Sequence, residues 1–141
     1  MVCYVDTSVL VALCVNEPKS KSVSRWYAKC KHKLVSSLWC VTEFASALAI
    51  KQRTGQITAV EAGLAWQNFQ RLCANDMTLL TPDIELFHRA SLLTLDAATG
   101  LRAGDALHLA SALHANVKRM ATLDDVFARN ARQRKIALVV F

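Results

Sequence analysis

The chain has 141 residues, which suits one domain with a sizeable hydrophobic core and leaves no room for two. Hydrophobic residues make up 53% of the sequence and charged residues 20%, a balance that excludes disordered and fibrous proteins. The net charge of +6 suits an anionic partner such as nucleic acid, and it suits an ordinary basic surface equally well.

Short apolar runs alternate along the chain with segments of helical periodicity. The predicted strands are residues 2–6, 34–37, 77–80, 119–123 and 136–141. The predicted helices are residues 8–15, 18–31, 41–53, 58–75, 81–98, 103–115 and 125–133. Strands that alternate with helices imply an α/β fold, in which a parallel, doubly wound sheet is covered by helices on both faces. No linker or repeat interrupts this pattern, so residues 1–141 are predicted to form a single domain.

Two features of the sequence concern the cellular compartment. No apolar stretch reaches the roughly 18 residues of a membrane helix, and Asp6 interrupts the first apolar run too early for a signal peptide. The five cysteines contain no Cys-x-x-Cys pair, which favours a reducing compartment and a place in the core over a zinc or redox site. We therefore expect a soluble, cytoplasmic protein without a membrane partner.

Four carboxylates lie in apolar surroundings. Asp6 ends the first predicted strand, and Asp124 directly follows another. Glu43 and Asp105 interrupt stretches that otherwise resemble buried helix. A buried carboxylate is costly without a partner, and parallel α/β sheets bind ligands at the carboxyl ends of their strands. The four acids are therefore predicted to converge there on a divalent metal ion.

Each acid also has an ordinary structural explanation. Asp6 and Asp124 suit the N-cap position of a helix, and Asp125 could replace or assist Asp124. Glu43 and Asp105 lie near predicted helix starts, where the helix macrodipole favours a negative charge. The metal interpretation depends on all four acids falling at one predicted edge of the sheet.

An acidic cluster of this kind suits phosphoryl chemistry. Magnesium prefers oxygen ligands, and a bound ion polarises a phosphoryl group and activates water. Ser8 and Thr122, each two residues from a proposed ligand, are predicted to orient a carboxylate or a water molecule. The acids would repel a polyanion, whereas the basic residues clustered in segments 19–33 and 129–135 would hold its phosphates.

The motifs that contain the four acids resemble those of the PIN-domain family, and they occur in the family's order and spacing. These motifs are Val5-Asp6-Thr7-Ser8, Thr42-Glu43-Phe44, Gly104-Asp105-Ala106-Leu107-His108 and Ala121-Thr122-Leu123-Asp124. More narrowly, the chain is similar to VapC-type toxins of bacterial toxin–antitoxin pairs. The resemblance spans nearly the whole chain. It implies a PIN-like three-layer fold with a central parallel sheet of about four to five strands flanked by helices.

The resemblance also implies an activity, a cofactor and partners. It implies a Mg²⁺- or Mn²⁺-dependent endoribonuclease that acts on RNA, forms a homodimer and is inhibited by a cognate antitoxin. The implied catalytic and metal-binding residues are Asp6, Glu43, Asp105 and Asp124, with Ser8 and Thr122 as polar companions. The Thr-x-Asp spacing of the family selects Asp124 and leaves Asp125 to cap the following helix.

Two other functions stay open from the sequence. An aspartyl-phosphate phosphotransfer domain would use Asp6 as its nucleophile, but a dehalogenase-like one would need a second Asp where Ser8 stands. A non-catalytic PIN-fold module would bind nucleic acid or an antitoxin without hydrolysis, although the presence of all four acids argues against it. Trapping of an aspartyl-phosphate would favour the first, and the absence of metal binding the second.

Three further residues have predicted roles. His108 is predicted to pack or to form hydrogen bonds rather than act as a general base, because a metal-activated water needs no such base. Trp26 is predicted to be the most exposed tryptophan and a contact for the antitoxin. Arg102 is expected to contact RNA or to pair with an acid of the site.

Overall fold

The computed structural model describes residues 1–141. The strands are β1 (Val2–Val5), β2 (Lys33–Ser37), β3 (Met77–Leu80), β4 (Arg119–Ala121) and β5 (Ala137–Leu138). The helices are α1 (Thr7–Cys14), α2 (Ser20–Lys29), α3 (Trp39–Arg53), α4 (Ala59–Asn75), α5 (Ile84–Leu95), α6 (Ala103–His114) and α7 (Asp125–Gln133), and a short 3₁₀-helix, Ala97–Thr99, follows α5. All paired strands are parallel, in the order β3-β2-β1-β4-β5.

The sheet separates two hydrophobic cores, because successive side chains of a strand point to opposite faces. Cys3 and Val5 of β1 enter the core that is closed by helices α1 to α4. Tyr4 enters the other core, which is closed by α5, α6 and α7. The predicted α/β architecture, with a central parallel sheet between two helical layers, is therefore confirmed. One continuous sheet also supports the proposal that residues 1–141 form a single domain.

The strand order creates a natural ligand site. The chain moves outward from β1 through β2 to β3, and it then returns to place β4 on the other side of β1. Ligands of open parallel sheets bind at such a reversal, outside the carboxyl ends of the strands. Asp6 directly follows β1, and Thr122 directly follows β4. Asp6 and Thr122, which follow the neighbouring strands β1 and β4, therefore lie at this position.

Two predicted strands are shorter in the structure by two residues or more. The predicted strand 119–123 ends at Ala121, because the Thr122 side chain bonds Asp6 and the Asp124 backbone where a strand would continue. The predicted strand 136–141 is a strand only over Ala137–Leu138; beyond it the Val139 backbone N–H still donates to Met120, and Phe141 packs edge-on against Trp26 with ring centroids 5.5 Å apart. No helix combines the length and the apolar character needed to cross a membrane.

The cysteines are all free, and two of them belong to the core. Burial raises the pKa of the Cys3 thiol and of the Cys40 thiol to about 12. These two side chains therefore remain protonated and behave as small apolar groups. The predicted core location is confirmed for Cys3 and Cys40, whereas the other three cysteines are only partly buried.

Candidate metal centre

Asp6 is held rigidly at the end of β1. The residue is 4% exposed, and its Oδ1 accepts a hydrogen bond of 2.8 Å from the Thr7 backbone N–H, which caps α1. Its Oδ2 accepts hydrogen bonds from the Ser8 hydroxyl at 2.8 Å and from the Thr122 hydroxyl at 2.9 Å. A carboxylate has about four acceptor positions, so one position on Oδ1 is left for a further partner. The two residues predicted as polar companions both contact Asp6.

Glu43 reaches the same region from α3. Its Oε1 accepts a 2.7 Å hydrogen bond from the Thr7 hydroxyl and contacts Nε2 of His108 directly. Burial on its own would raise the pKa of Glu43, but the hydrogen bond and the charge of His108 outweigh burial and hold it below its usual range. Glu43 lies beyond the first turn of α3, which begins at Trp39, so the macrodipole explanation for this acid is wrong.

His108 is the one basic side chain that contacts these acids, and it is fully buried. Its Nδ1 lies 2.7 Å from the Tyr4 hydroxyl, which also accepts a hydrogen bond from the Ser37 backbone N–H. Burial opposes protonation of the ring, but the hydrogen bond to Glu43 and the charges of Asp6 and Glu43 raise the pKa of His108. His108 therefore forms hydrogen bonds as predicted, and it does so inside the site. Its long-range contacts were not visible in the sequence.

Asp105 carries the least compensated charge of the site. It lies in the first turn of α6 and is half-buried. Burial, followed by the negative charges of Asp6, Asp124 and Glu43, raises its pKa to about 6, and His108 offsets this only in part. This shift agrees with the predicted convergence of the four acids on one metal ion, which stays a prediction.

Asp124 has a structural task in addition to its place near the other acids. Its Oδ1 accepts a 2.8 Å hydrogen bond from the Phe127 backbone N–H and so caps α7. Its own backbone N–H donates to the Thr122 hydroxyl at 3.1 Å, which links Asp124 to Asp6. The expectation that Asp125 caps α7 is wrong, because Asp125 is the first residue of the helix and is exposed.

The donor set fits a hard divalent cation such as Mg²⁺ or Mn²⁺. Asp6, Glu43 and Asp105 act on one imidazole, and Asp124 acts on Asp105, so the local charge favours a bound cation. No three acidic, histidine or cysteine side chains are held close enough to coordinate one ion as they stand. Glu43 and Asp124 each commit one oxygen to the protein, and like charges repel. An ion would have to draw the acids together.

Gly104 allows α6 to approach α3 closely. A Cβ atom at this position would lie 2.8 Å from Glu43 Oε2 and 3.1 Å from Trp39 Nε1. The Glu43 carboxylate cannot easily turn away, because its other oxygen is held by Thr7 and His108. A glycine is therefore needed here for the position of Glu43 rather than for the helix.

We expect Gly104→Ala to weaken Mn²⁺ binding by about tenfold to 100-fold, the usual effect of disturbing the support of a metal ligand. Isothermal titration calorimetry of the purified protein measures this affinity. Gly63→Ala is the matched control, because a Cβ atom at Gly63 meets nothing within 4 Å. It should leave Mn²⁺ binding unchanged and stabilise α4 by about 1 kcal/mol. Equal affinities for the two variants would argue against Glu43 as a ligand.

Two other sequence predictions are wrong. Trp39, 38% exposed, is the most exposed tryptophan, whereas Trp26 is partly buried against Phe141. Arg102 is exposed and forms no ion pair, so it does not pair with an acid of the site. A contact between Arg102 and RNA stays a prediction.

Comparison with solved structures shows the same fold in three other structures. The toxin VapC20 of Mycobacterium tuberculosis superposes with a TM-score of 0.73 at 18% identity, over 91% of this chain and 94% of VapC20. FitAcB of Neisseria gonorrhoeae superposes with a TM-score of 0.68 at 18% identity, over 99% of this chain and 97% of the FitAcB chain. VapBC2 of Rickettsia felis, bound to a promoter DNA fragment, superposes with a TM-score of 0.64 at 12% identity, over 99% of this chain and 98% of the VapBC2 chain.

Identities this low establish likeness of fold alone. A search of curated proteins found no significant match. The family model of the PIN domain, however, matches residues 3–133. This match includes all four acids and every strand up to β4, and we conclude that the chain belongs to the PIN domain family.

Proposed function

We propose that this protein is a metal-dependent endoribonuclease that hydrolyses phosphodiester bonds in RNA. The observation that carries the proposal is the acidic character of the strand-order reversal between β1 and β4, where burial and the charges of Asp6, Asp124 and Glu43 raise the pKa of Asp105. A folded protein gains nothing from such mutual repulsion, and a divalent cation relieves it. Membership of the PIN domain family supports the same chemistry.

The residues proposed to hold Mg²⁺ or Mn²⁺ are Asp6, Glu43, Asp105 and Asp124. When bound, the ion would polarise a phosphate group of RNA and favour ionisation of a water molecule. Ser8 and Thr122 fix the orientation of the Asp6 carboxylate through its Oδ2. These contacts reduce the motion of the site before RNA binds, and catalysis by positioning depends on that rigidity.

His108 and Thr7 position Glu43. Both contact the same oxygen, Oε1, so Oε2 points toward Gly104 without a hydrogen-bonding partner in α6. The Tyr4 hydroxyl holds the opposite nitrogen of His108 and thereby fixes the plane of the ring. We regard His108 as a positioning residue, because its Nε2 faces Glu43 and is not free to take a proton from water.

The proposed partners come from the likeness to solved toxins. VapC20 is described as a toxin that cleaves the sarcin–ricin loop. By that likeness we propose an RNA substrate, a role as the toxin of a type II toxin–antitoxin system, and inhibition by a cognate antitoxin. The homodimer also stays a proposal, which exposed apolar side chains of α5 support: Ile84, Phe87, Leu92 and Leu95.

Metal removal is the test of the activity itself. We expect the purified protein to cleave RNA with Mg²⁺ or Mn²⁺, and EDTA to slow cleavage by about 10³-fold, since a bound ion contributes several kcal/mol to this chemistry. Gel assays of a structured RNA, with mapping of the cut ends, give the rate and the position of cleavage. Re-addition of Mn²⁺ should restore the rate. Cleavage that persists in EDTA would contradict the proposal.

The alternatives predict different results. A non-catalytic module would bind RNA without cutting it under any metal condition. An aspartyl-phosphate domain would accumulate a covalent phosphate on Asp6. The structure disfavours this second alternative, because the Asp6 Oδ2 already accepts two hydrogen bonds and the side chain is only 6% exposed.

A further inference from the structure

A second polar pocket lies at the opposite edge of the sheet from the acids. It has a volume of about 570 Å³, within the range of ligand-binding cavities. Arg25 and Lys29 contribute to it from α2, Lys31 and His32 from the loop before β2, and Arg119 from the start of β4. The pocket therefore lies beside the amino ends of the strands, whereas the acids follow their carboxyl ends.

All charged side chains that line this pocket are basic. No acidic residue lines it, and its arginines and lysines take part in no ion pair. Arg25 and Lys29 are four residues apart on α2, so both side chains extend from one face of the helix. Arg119 is paired in register with Cys3 of β1 and approaches from the sheet. Three separate elements thus bring like charges together, at a cost that a bound polyanion would remove.

Aromatic side chains in the same pocket indicate which class of anion it would bind. Trp26 lies between the basic positions of α2, is half-buried and packs edge-on against Phe141, which also lines the pocket. Cations that follow a groove beside aromatic side chains are typical of sites for single-stranded nucleic acid, where bases stack and phosphates pair. Single-stranded nucleic acid would use both the cations and the aromatic faces, because every base has a face that can stack.

We propose that this pocket is a second RNA-binding site, which holds the backbone of single-stranded substrate away from the acids. The inference rests on the proposed function for its substrate. Asp6 follows Cys3 by three residues, so about 10 Å of strand β1 separates the two edges of the sheet. RNA long enough to reach both edges gains affinity at the basic pocket, which offsets repulsion by the acids. A short oligonucleotide that is bound at the acids cannot reach the basic pocket and gains no affinity from it.

The test is a double charge reversal, Arg25→Glu with Lys29→Glu, at two exposed positions of α2. The probe is a fluorescent oligouridylate of about 20 nucleotides, longer than one single-strand site, titrated in EDTA so that no cleavage occurs. We expect the Kd to rise at least about tenfold and the slope of log K against log salt to shrink by about 1 to 2. Lys31→Glu, in a loop, should act in the same direction.

The matched control reverses two charges elsewhere, Arg53→Glu with Arg71→Glu, at exposed positions of α3 and α4 outside the pocket. Equal weakening by the control, or unchanged binding by the α2 variant, would overturn the proposal. Displacement of the RNA by equimolar ATP or inorganic phosphate would also overturn it, because it would reveal a site for small anions.

Cleavage assays separate this proposal from the proposed activity. In Mn²⁺, the double charge reversal should slow cleavage of a long RNA much more than cleavage of a substrate of about four nucleotides, since one single-strand site is about that size at its smallest. It should show a higher KM for a long RNA with the same kcat. Because binding is measured in EDTA, failure of cleavage does not affect that measurement. If the protein cleaves RNA but its affinity for RNA does not depend on Arg25 and Lys29, the second binding site is refuted and the proposed ribonuclease activity is not.

Discussion

Asp105→Asn is expected to abolish RNA cleavage and to stabilise the metal-free protein at neutral pH. The loss of one of four carboxyl groups should slow cleavage by about 10³-fold, equivalent to about 4 kcal/mol. The metal-free variant should nevertheless be more stable than the unmodified protein, because Asp105 is held among the negative charges of Asp6, Glu43 and Asp124 and His108 offsets them only in part. Asparagine removes that repulsion while keeping the shape of the side chain.

The pH dependence follows from the raised pKa of Asp105. The pKa rises from an ordinary 3.8 to about 6 in the folded protein, so the ionised form disfavours folding. The protonated form is fully present below 3.8, and its contribution to stability is lost as the pH rises through about 6. In a fully buried group, this pKa shift would change the free energy of unfolding by about 3 kcal/mol. Solvent screens the half-exposed Asp105 side chain, so we expect a change of about 1 kcal/mol.

Urea unfolding in EDTA measures this difference. The free energies of unfolding of the two proteins should agree near pH 4 and diverge to a plateau above about pH 7. Excess Mn²⁺ should stabilise the unmodified protein by about 3 kcal/mol at 100 times its Kd, and the variant by much less. Asp125→Asn is the matched control, because this exposed acid adjoins the site without belonging to it. A variant that cleaves RNA normally would remove Asp105 from the mechanism.

The order of elements and the four acids were predictable from local patterns. A buried, β-branched strand followed directly by Asp6-Thr7-Ser8 identifies both the end of β1 and the cap of α1, since cap and strand signals are short-range. The same reasoning found Asp124 after β4. Local patterns, however, predict a β4 that is two residues too long. Thr122 and Leu123 have strand propensity, and only their contacts with Asp6 and Ser8 end the strand at Ala121.

The contacts that organise the site could not be predicted in this way. Thr7 and Glu43 are 36 residues apart, and Tyr4 and His108 are 104 apart. No periodicity connects such pairs, because side-chain networks depend on how whole elements pack. The need for Gly104 is likewise invisible in the sequence, where a glycine near a helix start has many explanations. The basic pocket required the same packing to bring Arg119 beside α2.

Replacement of His108 by alanine should have the largest effect on stability. The change removes the partner of Glu43 and leaves a carboxylate facing Asp6 and Asp105 without a neighbouring cation. Breaking a buried pair costs roughly 3–5 kcal/mol. Because the Glu43 side chain is 26% exposed, we expect about 3 kcal/mol in urea unfolding. His114→Ala, an exposed position on the same helix, should cost under about 0.5 kcal/mol.

The pH dependence of this loss separates charge pairing from packing. The pKa of His108 is raised above its ordinary 6.5, so its contribution as a cation is complete below 6.5 and is lost as the pH rises through the folded value. The deficit of His108→Ala should therefore shrink at alkaline pH. Adding Glu43→Gln should recover much of the loss near pH 6, because no unpaired charge remains. A deficit that is constant with pH and unaffected by Glu43→Gln would mean that the imidazole contributes only its volume, and the acids would then be held together without a counter-charge from the protein.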